Sequence, residues 1–275
     1  MESLRAMTPA AAEPGGVERL KRNWPEYLIE AWALGTFMVS AGLFATLLDY
    51  PGSPVHRAIQ SGELRRALVG IAMGLTAIAL IYSPWGQRSG THMNPAVTLT
   101  FLRLGKIHRW DALYYVVAQF VGGTVGVLLV ASLLGSAFTG PPVSYVATLP
   151  GPHGSWVALV SETLISFVLI YVVLSFSNAA AHARYTGIAA GLLVALYIAL
   201  EAPLSGMSMN PARSFASAAP AGNWQAFWIY VAAPVLGMLA GAQLFLVTQP
   251  RTAIGCAKLL HPENQRCIHC GHQPL

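Results

Sequence analysis

Apolar residues in this chain fall into long runs separated by short polar connections. Six runs are long enough to read as membrane-crossing helices, at roughly 27–48, 64–82, 110–134, 156–176, 186–200 and 224–247. Crossing the hydrocarbon layer takes about 20 mostly apolar residues. The fifth run is short and draws on its flanks. Residues 1–25 are polar and mixed in charge, with no apolar stretch of the kind a cleaved signal peptide carries. The expected organisation is a polar N-terminal segment (1–25), a membrane domain (26–248) and a polar tail (249–275).

Composition agrees with that pattern. Hydrophobic residues make up 55% of the chain and charged residues 10%, against about 25% charged in a soluble domain. Too little charge is present to cover a water-facing surface, so the fold class expected is an all-α membrane protein with most of its surface in lipid. The net charge of +5 invites thought of nucleic acid, but its distribution points to topology instead. An even number of spans puts both ends on one side. That side then carries Arg5, Arg19, Lys21, Arg22, Arg88, Arg103, Lys106, Arg109, Arg184, Arg251, Lys258 and Arg266, and the other carries Arg57, Arg65 and Arg66. The positive-inside rule makes the first side cytoplasmic. The chain is accordingly expected to be a multi-pass protein of the cell (inner) membrane. Arg213 fits neither group.

The two halves repeat each other. Met93-Asn94-Pro95-Ala96 matches Met209-Asn210-Pro211-Ala212, and each follows a turn of small residues, Ser89-Gly90 and Ser205-Gly206. Each half also holds one carboxylate in its first span, Glu30 and Glu162. Repeats of three spans, about 26–135 and about 155–248, must insert in opposite senses and are related by an axis in the membrane plane. Asn is a good helix N-cap and Pro suits the first helical position. The runs that follow, 97–104 and 213–219, are too short to span. They read as re-entrant half-helices entering from opposite faces. One Asn-Pro-Ala tripeptide is an ordinary turn; two in equivalent places of two three-span halves are not explained as turns.

These strings, Ser89-Gly90-Thr91-His92-Met93-Asn94-Pro95-Ala96-Val97-Thr98 and Gly206-Met207-Ser208-Met209-Asn210-Pro211-Ala212-Arg213-Ser214-Phe215, resemble the major intrinsic protein family of aquaporins and glycerol facilitators. The resemblance covers about residues 27–247. It implies six tilted helices and two half-helices, a pore in each subunit and a homotetramer. It also implies passive passage of water or another small neutral solute, with no cofactor and no enzymatic activity.

Physical reasoning supplies a mechanism beside the resemblance. Two half-helix N-termini meeting at mid-pore place partial positive charge there and repel cations and hydronium. Asn94 and Asn210 offer amide donors to a passing oxygen. A guanidinium in an apolar region is a functional feature by default, and Arg213 can hold a solute oxygen while repelling cations. Glu30 and Glu162 should face protein and accept from the re-entrant loops, as scaffolding. His92 either lines the cytoplasmic vestibule and responds to pH or holds a fixed hydrogen bond.

By resemblance, the narrow filter takes Ile198, Met207 and Arg213, with a second-span member that ungapped counting puts at Gly74 and the local pattern puts at Met73. Water-selective relatives usually have an aromatic residue and a histidine here, and this chain has neither. Ser214 and Ala218 stand where glycerol facilitators carry an aspartate and a basic residue, and Tyr230 is also water-channel-like, although Val231 replaces a common tryptophan. The balance favours water, with small neutral solutes such as glycerol, urea or ammonia.

All three cysteines lie in the tail, at 256, 267 and 270. Cytosolic thiols stay reduced, so Cys267-x-x-Cys270 reads as a pair of zinc ligands, completed by Cys256 with His261 or His272. Redox sensing and an unligated tail are the alternatives. An ion-coupled transporter with broken helices is a competing class, but no aspartate lies within the core spans, Asp49 and Asp111 being near span ends. A membrane scaffold with a closed pore is another. No nucleophile, base and orienting partner stand together for an enzyme.

Overall fold

The computed structural model describes residues 15–273, in which helices and turns occur but no strand. Eight helices build the body: α1 (Gly16–Asp49), α2 (Gly62–Tyr82), α3 (Pro95–Arg103), α4 (Arg109–Leu134), α5 (Ser155–Ser177), α6 (Thr186–Leu200), α7 (Pro211–Ala221) and α8 (Ile229–Thr248). Six are long and apolar enough to cross a membrane, with a short 3-10 turn at Ala183–Tyr185 lengthening the fifth. The other two, α3 and α7, are the half-helices.

Two boundaries differ from the expected ones. The first helix begins at Gly16 rather than near residue 27. Its added turns are held by Asp111 of α4, a fully buried carboxylate that accepts from Arg19 Nη1 at 2.7 Å, Asn23 Nδ2 at 3.1 Å and Tyr27 Oη at 2.6 Å. Residues 16–25, expected in the polar N-terminal segment, are thus the polar end of a span. Residues 1–14 lie outside the described residues. The last span begins at Ile229 rather than 224, the intervening tryptophan-rich stretch forming turns.

The helices pair across and within the repeats: α1 with α4, α5 with α8, and α2 with α6. Each pair closes on glycines. A methyl group added at Gly122 would strike the Ala31 carbonyl, and one at Gly126 the Gly35 carbonyl. In the second half the equivalent positions are Gly237, where a methyl would strike the Thr163 carbonyl, and Gly241, where one would lie 2.5 Å from the Phe167 carbonyl oxygen. Gly70 and Gly74 face α6 in the same way, and a methyl added at the latter would lie 2.5 Å from the Gly191 carbonyl oxygen. All three are Gly-x-x-x-Gly pairs, the spacing that lets two helix backbones touch where lipid supplies no hydrophobic drive. The half-helices cross over: α7 of the second repeat packs on α4 of the first, and α3 of the first on α8 of the second. Large apolar side chains point outward around the body, Leu133 at 75% and Trp156 at 78% exposure among them. Such a surface suits lipid.

Candidate functional site

Each Asn-Pro-Ala segment starts its half-helix in the same way. Asn94 and Asn210 sit in extended backbone at the N-cap, and their side-chain oxygens accept from Ala96 N at 2.8 Å and Ala212 N at 3.0 Å. Pro95 and Pro211 take the first helical position, where a missing N–H costs nothing. Ala96 and Ala212 are fully buried, which leaves room for the two turns to approach. The asparagine amides then exchange bonds. Asn94 Nδ2 donates to the Met209 carbonyl, and Asn210 Nδ2 donates to the Met93 carbonyl, both at 2.7 Å.

Above each cap the backbone is bent hard. Thr91 and Met93 in the first loop, and Met207 and Met209 in the second, all have φ near +50°, a region costly for side chains other than glycine. Buried carboxylates hold these bends. Glu30 accepts from Ser89 Oγ (2.8 Å), His92 N (3.0 Å), Met93 N (2.7 Å) and Gln119 Nε2 (2.9 Å). Glu162 accepts from Ser205 Oγ, Ser208 N and Met209 N, each at 2.7 Å. Tyr115 and Tyr230 donate to the Ser89 and Ser205 carbonyls at 2.6 Å. Tyr115, Gln119 and the two serine hydroxyls belong to this framework and were not singled out from sequence. The tyrosines' equivalent places in the third span of each repeat are the signal that was there to use.

A cavity of about 220 Å³ runs past both motifs, lined by Asn94, Asn210 and Arg213 and otherwise mostly by apolar side chains. Met73, Ile198, Met207 and Arg213 all stand in its wall. Gly74 does not. It faces α6 at the Gly70/Gly74 contact, and of the two candidate second-span positions Met73 is the one in the wall. The physical reason is helical: adjacent positions point about 100° apart, and the glycine is the one that backbone contact demands. Arg213 Nη1 donates to the Val146 carbonyl at 2.8 Å, which fixes the guanidinium against the wall with other N–H groups unspent.

His92 is buried, with Nδ1 3.0 Å from Thr98 Oγ1 and Nε2 2.7 Å from the Ala257 carbonyl. The second partner belongs to the tail, which folds back under the helical body. There Cys256, His261, Cys267 and Cys270 bring their ligand atoms within 4.8 Å of one another. His272 packs its ring on His261 but is not one of the four, its Nε2 lying 2.7 Å from the Glu263 carbonyl. Cys256 Sγ and Cys267 Sγ are 3.4 Å apart, a contact that pushes the Cys256 thiol up and holds the Cys267 thiol down. Burial, and then His92, hold His269 down to about 4, so this imidazole is neutral.

Comparison with known proteins agrees with this geometry. A profile of the major intrinsic protein family matches residues 20–245. The chain is similar to a probable aquaporin, NIP4-2, of Arabidopsis thaliana, at 32% identity over 235 residues, 84% of this chain and 79% of the relative. It is also similar to a probable NIP-type aquaporin of Nicotiana alata, at 34% identity over 217 residues, 78% and 75% of the two chains. Among solved structures, the aquaglyceroporin from Plasmodium falciparum shares the fold with a TM-score of 0.68 at 20% identity, covering 83% of this chain and 98% of that one.

Proposed function

The chain belongs to the major intrinsic protein family, and from that premise we propose that it is a passive transmembrane channel for water and small uncharged solutes. The observation that carries this reading is the reciprocal asparagine contact between two half-helix caps inside one cavity that also holds an arginine. Each half-helix turns the positive end of its dipole to the same point, and cations and hydronium are repelled there, as in aquaporin-type pores generally. Each asparagine amide has two N–H groups. One is engaged by the opposite loop, and the other is available to a solute oxygen.

Met73, Ile198, Met207 and Arg213 form the filter. Three apolar members offer a solute few hydrogen bonds, so selection rests on size and on Arg213. This favours water together with solutes such as glycerol, urea or ammonia. Both termini lie on the cytoplasmic side of the cell membrane, and four copies assemble, each with its own pore. The tail takes a zinc ion on Cys256, His261, Cys267 and Cys270.

Stopped-flow light scattering on liposomes holding metal-stripped protein tests the channel. Water permeability well above that of empty liposomes is expected, without saturation or ion dependence. Arg213→Ala should raise glycerol and urea entry several-fold and admit protons. Saturable, ion-coupled uptake would replace the channel with a transporter.

A further inference from the structure

The tail sits where solute would have to leave the pore. Leu259, 7% exposed, forms part of the cavity wall beside Thr91, His92 and Val97. Its backbone N–H reaches the Gly90 carbonyl at 3.3 Å, and the Ala257 carbonyl takes up His92 Nε2. His269 lies 3.1 Å from the Ser89 carbonyl and stacks on His92 at 5.9 Å between ring centres. Every one of these contacts falls on the loop that carries the first Asn-Pro-Ala motif. Two further bonds tie the tail to both halves: Arg266 Nη2 to Asn23 Oδ1 at 2.6 Å, and Gly255 N to Asn178 Oδ1 at 2.9 Å.

Ile254, Ala257 and Leu259 join the main hydrophobic core, but they are few for a segment of this length. Residues 249–273 contain neither helix nor strand, and so short a stretch normally needs a staple to offset its conformational entropy. The Cys/His cluster supplies one. Tetrahedral zinc with sulfur ligands would set neighbouring sulfurs roughly 3.8 Å apart. Here Cys256 and Cys267 are 3.4 Å apart, and His261 Nε2 is 3.2 Å from Cys270 Sγ. The Cys267–Cys270 segment is already turned as a ligand loop: Gly271, at φ +77°, donates to the Cys267 carbonyl at 3.1 Å, and Cys267 N donates to the His272 carbonyl at 2.9 Å.

Charge adds an independent argument. Lys258 is 2% exposed; among the described residues its Nζ donates to the Arg266 carbonyl at 3.2 Å and enters no ion pair, and the negative groups that face it are the three cysteines and then, less strongly, Glu26. A buried ammonium needs a counter-charge. A divalent ion held by three thiolates and a neutral imidazole leaves one net negative charge next to it, which matches.

We propose that the tail is a metal-latched plug: a zinc-class divalent ion on Cys256, His261, Cys267 and Cys270 folds it so that Leu259 closes the mouth of the pore, and loss of the ion opens that mouth. The plug rests on the channel reading. Metal binding and folding of such a segment are one equilibrium, so the ion's occupancy sets the fraction of closed channels.

The test uses the full chain in liposomes, zinc-loaded and then stripped by a membrane-permeant chelator. One zinc per chain is expected, with water permeability rising at least fivefold on stripping. Trypsin should cut after Lys258 only in the stripped protein. Cys267→Ser/Cys270→Ser should bind no zinc and conduct at the stripped rate throughout. A chain ending at Thr252 should conduct at that rate whether or not zinc is present. Leu259→Ala should keep its zinc yet leak. A wild-type chain that binds no zinc, or conducts equally with and without it while the shortened chain conducts, overturns the plug and leaves the channel standing. A stripped full chain and a shortened chain that both pass neither water, glycerol nor urea overturn the channel, and the plug with it.

Discussion

Glu30 and Glu162 are carboxylates inside spans, yet each faces a set of donors rather than a partner charge. Three donors converge on Glu162, two of them backbone N–H groups of residues bent to positive φ or beside one. Removing the acceptor leaves all three buried and unpaired. Glu162→Ala should therefore destabilise the protein by on the order of 3–5 kcal/mol, and Glu162→Gln, which keeps one oxygen, by about half as much. Thermal unfolding in detergent, followed by tryptophan fluorescence, reads both. An unchanged midpoint for the alanine variant would show that the loop holds itself. Much at this scale is legible in the sequence because capping is local: Asn94-Pro95 and Asn210-Pro211 state their own geometry. The donors that hold the first loop from across the fold, Gln119 on Glu30 and Tyr115 on the Ser89 carbonyl, carry no such local mark.

At the scale of elements, the Gly-x-x-x-Gly pairs decide which helix faces which. Their spacing can be read from the chain, but nothing in it says that Gly70 and Gly74 meet α6 while Gly122 and Gly126 meet α1. That is why the filter residue of α2 was ambiguous by one position. Two substitutions separate the roles. Met73→Ala should widen the pore and speed glycerol or urea entry several-fold with little loss of stability. Gly74→Ala should do the reverse, pressing a methyl against the Gly191 carbonyl and destabilising the protein by about 1–3 kcal/mol, with solute selection unchanged. Equal effects on solute entry would mean that both positions reach the pore. The starts of α1 and α8 were the least legible boundaries, since a polar helix end and a polar loop have the same composition until Asp111 gathers the side chains of the first.

At the scale of the whole molecule, the outward apolar surface has to meet either lipid or another copy. The homotetramer implied by the family predicts that native mass spectrometry from lipid nanodiscs finds four chains, and a single chain there would remove it. The crossed packing of α7 on α4 and of α3 on α8 means that neither repeat is a finished unit. The membrane plan and the repeat were visible in the sequence, because hydropathy and duplication are properties of the chain itself. The tail's placement under the first motif was not, because it depends on a contact between residues as distant as His92 and Ala257. The exchange between the two asparagines also has a consequence in time. A chain is synthesised from its N-terminus, and Asn94 donates to the carbonyl of Met209. Until the second motif has left the ribosome and entered the bilayer, the first loop has no acceptor for that amide. The junction of the two motifs is therefore assembled last, by an event that no half-made chain can imitate.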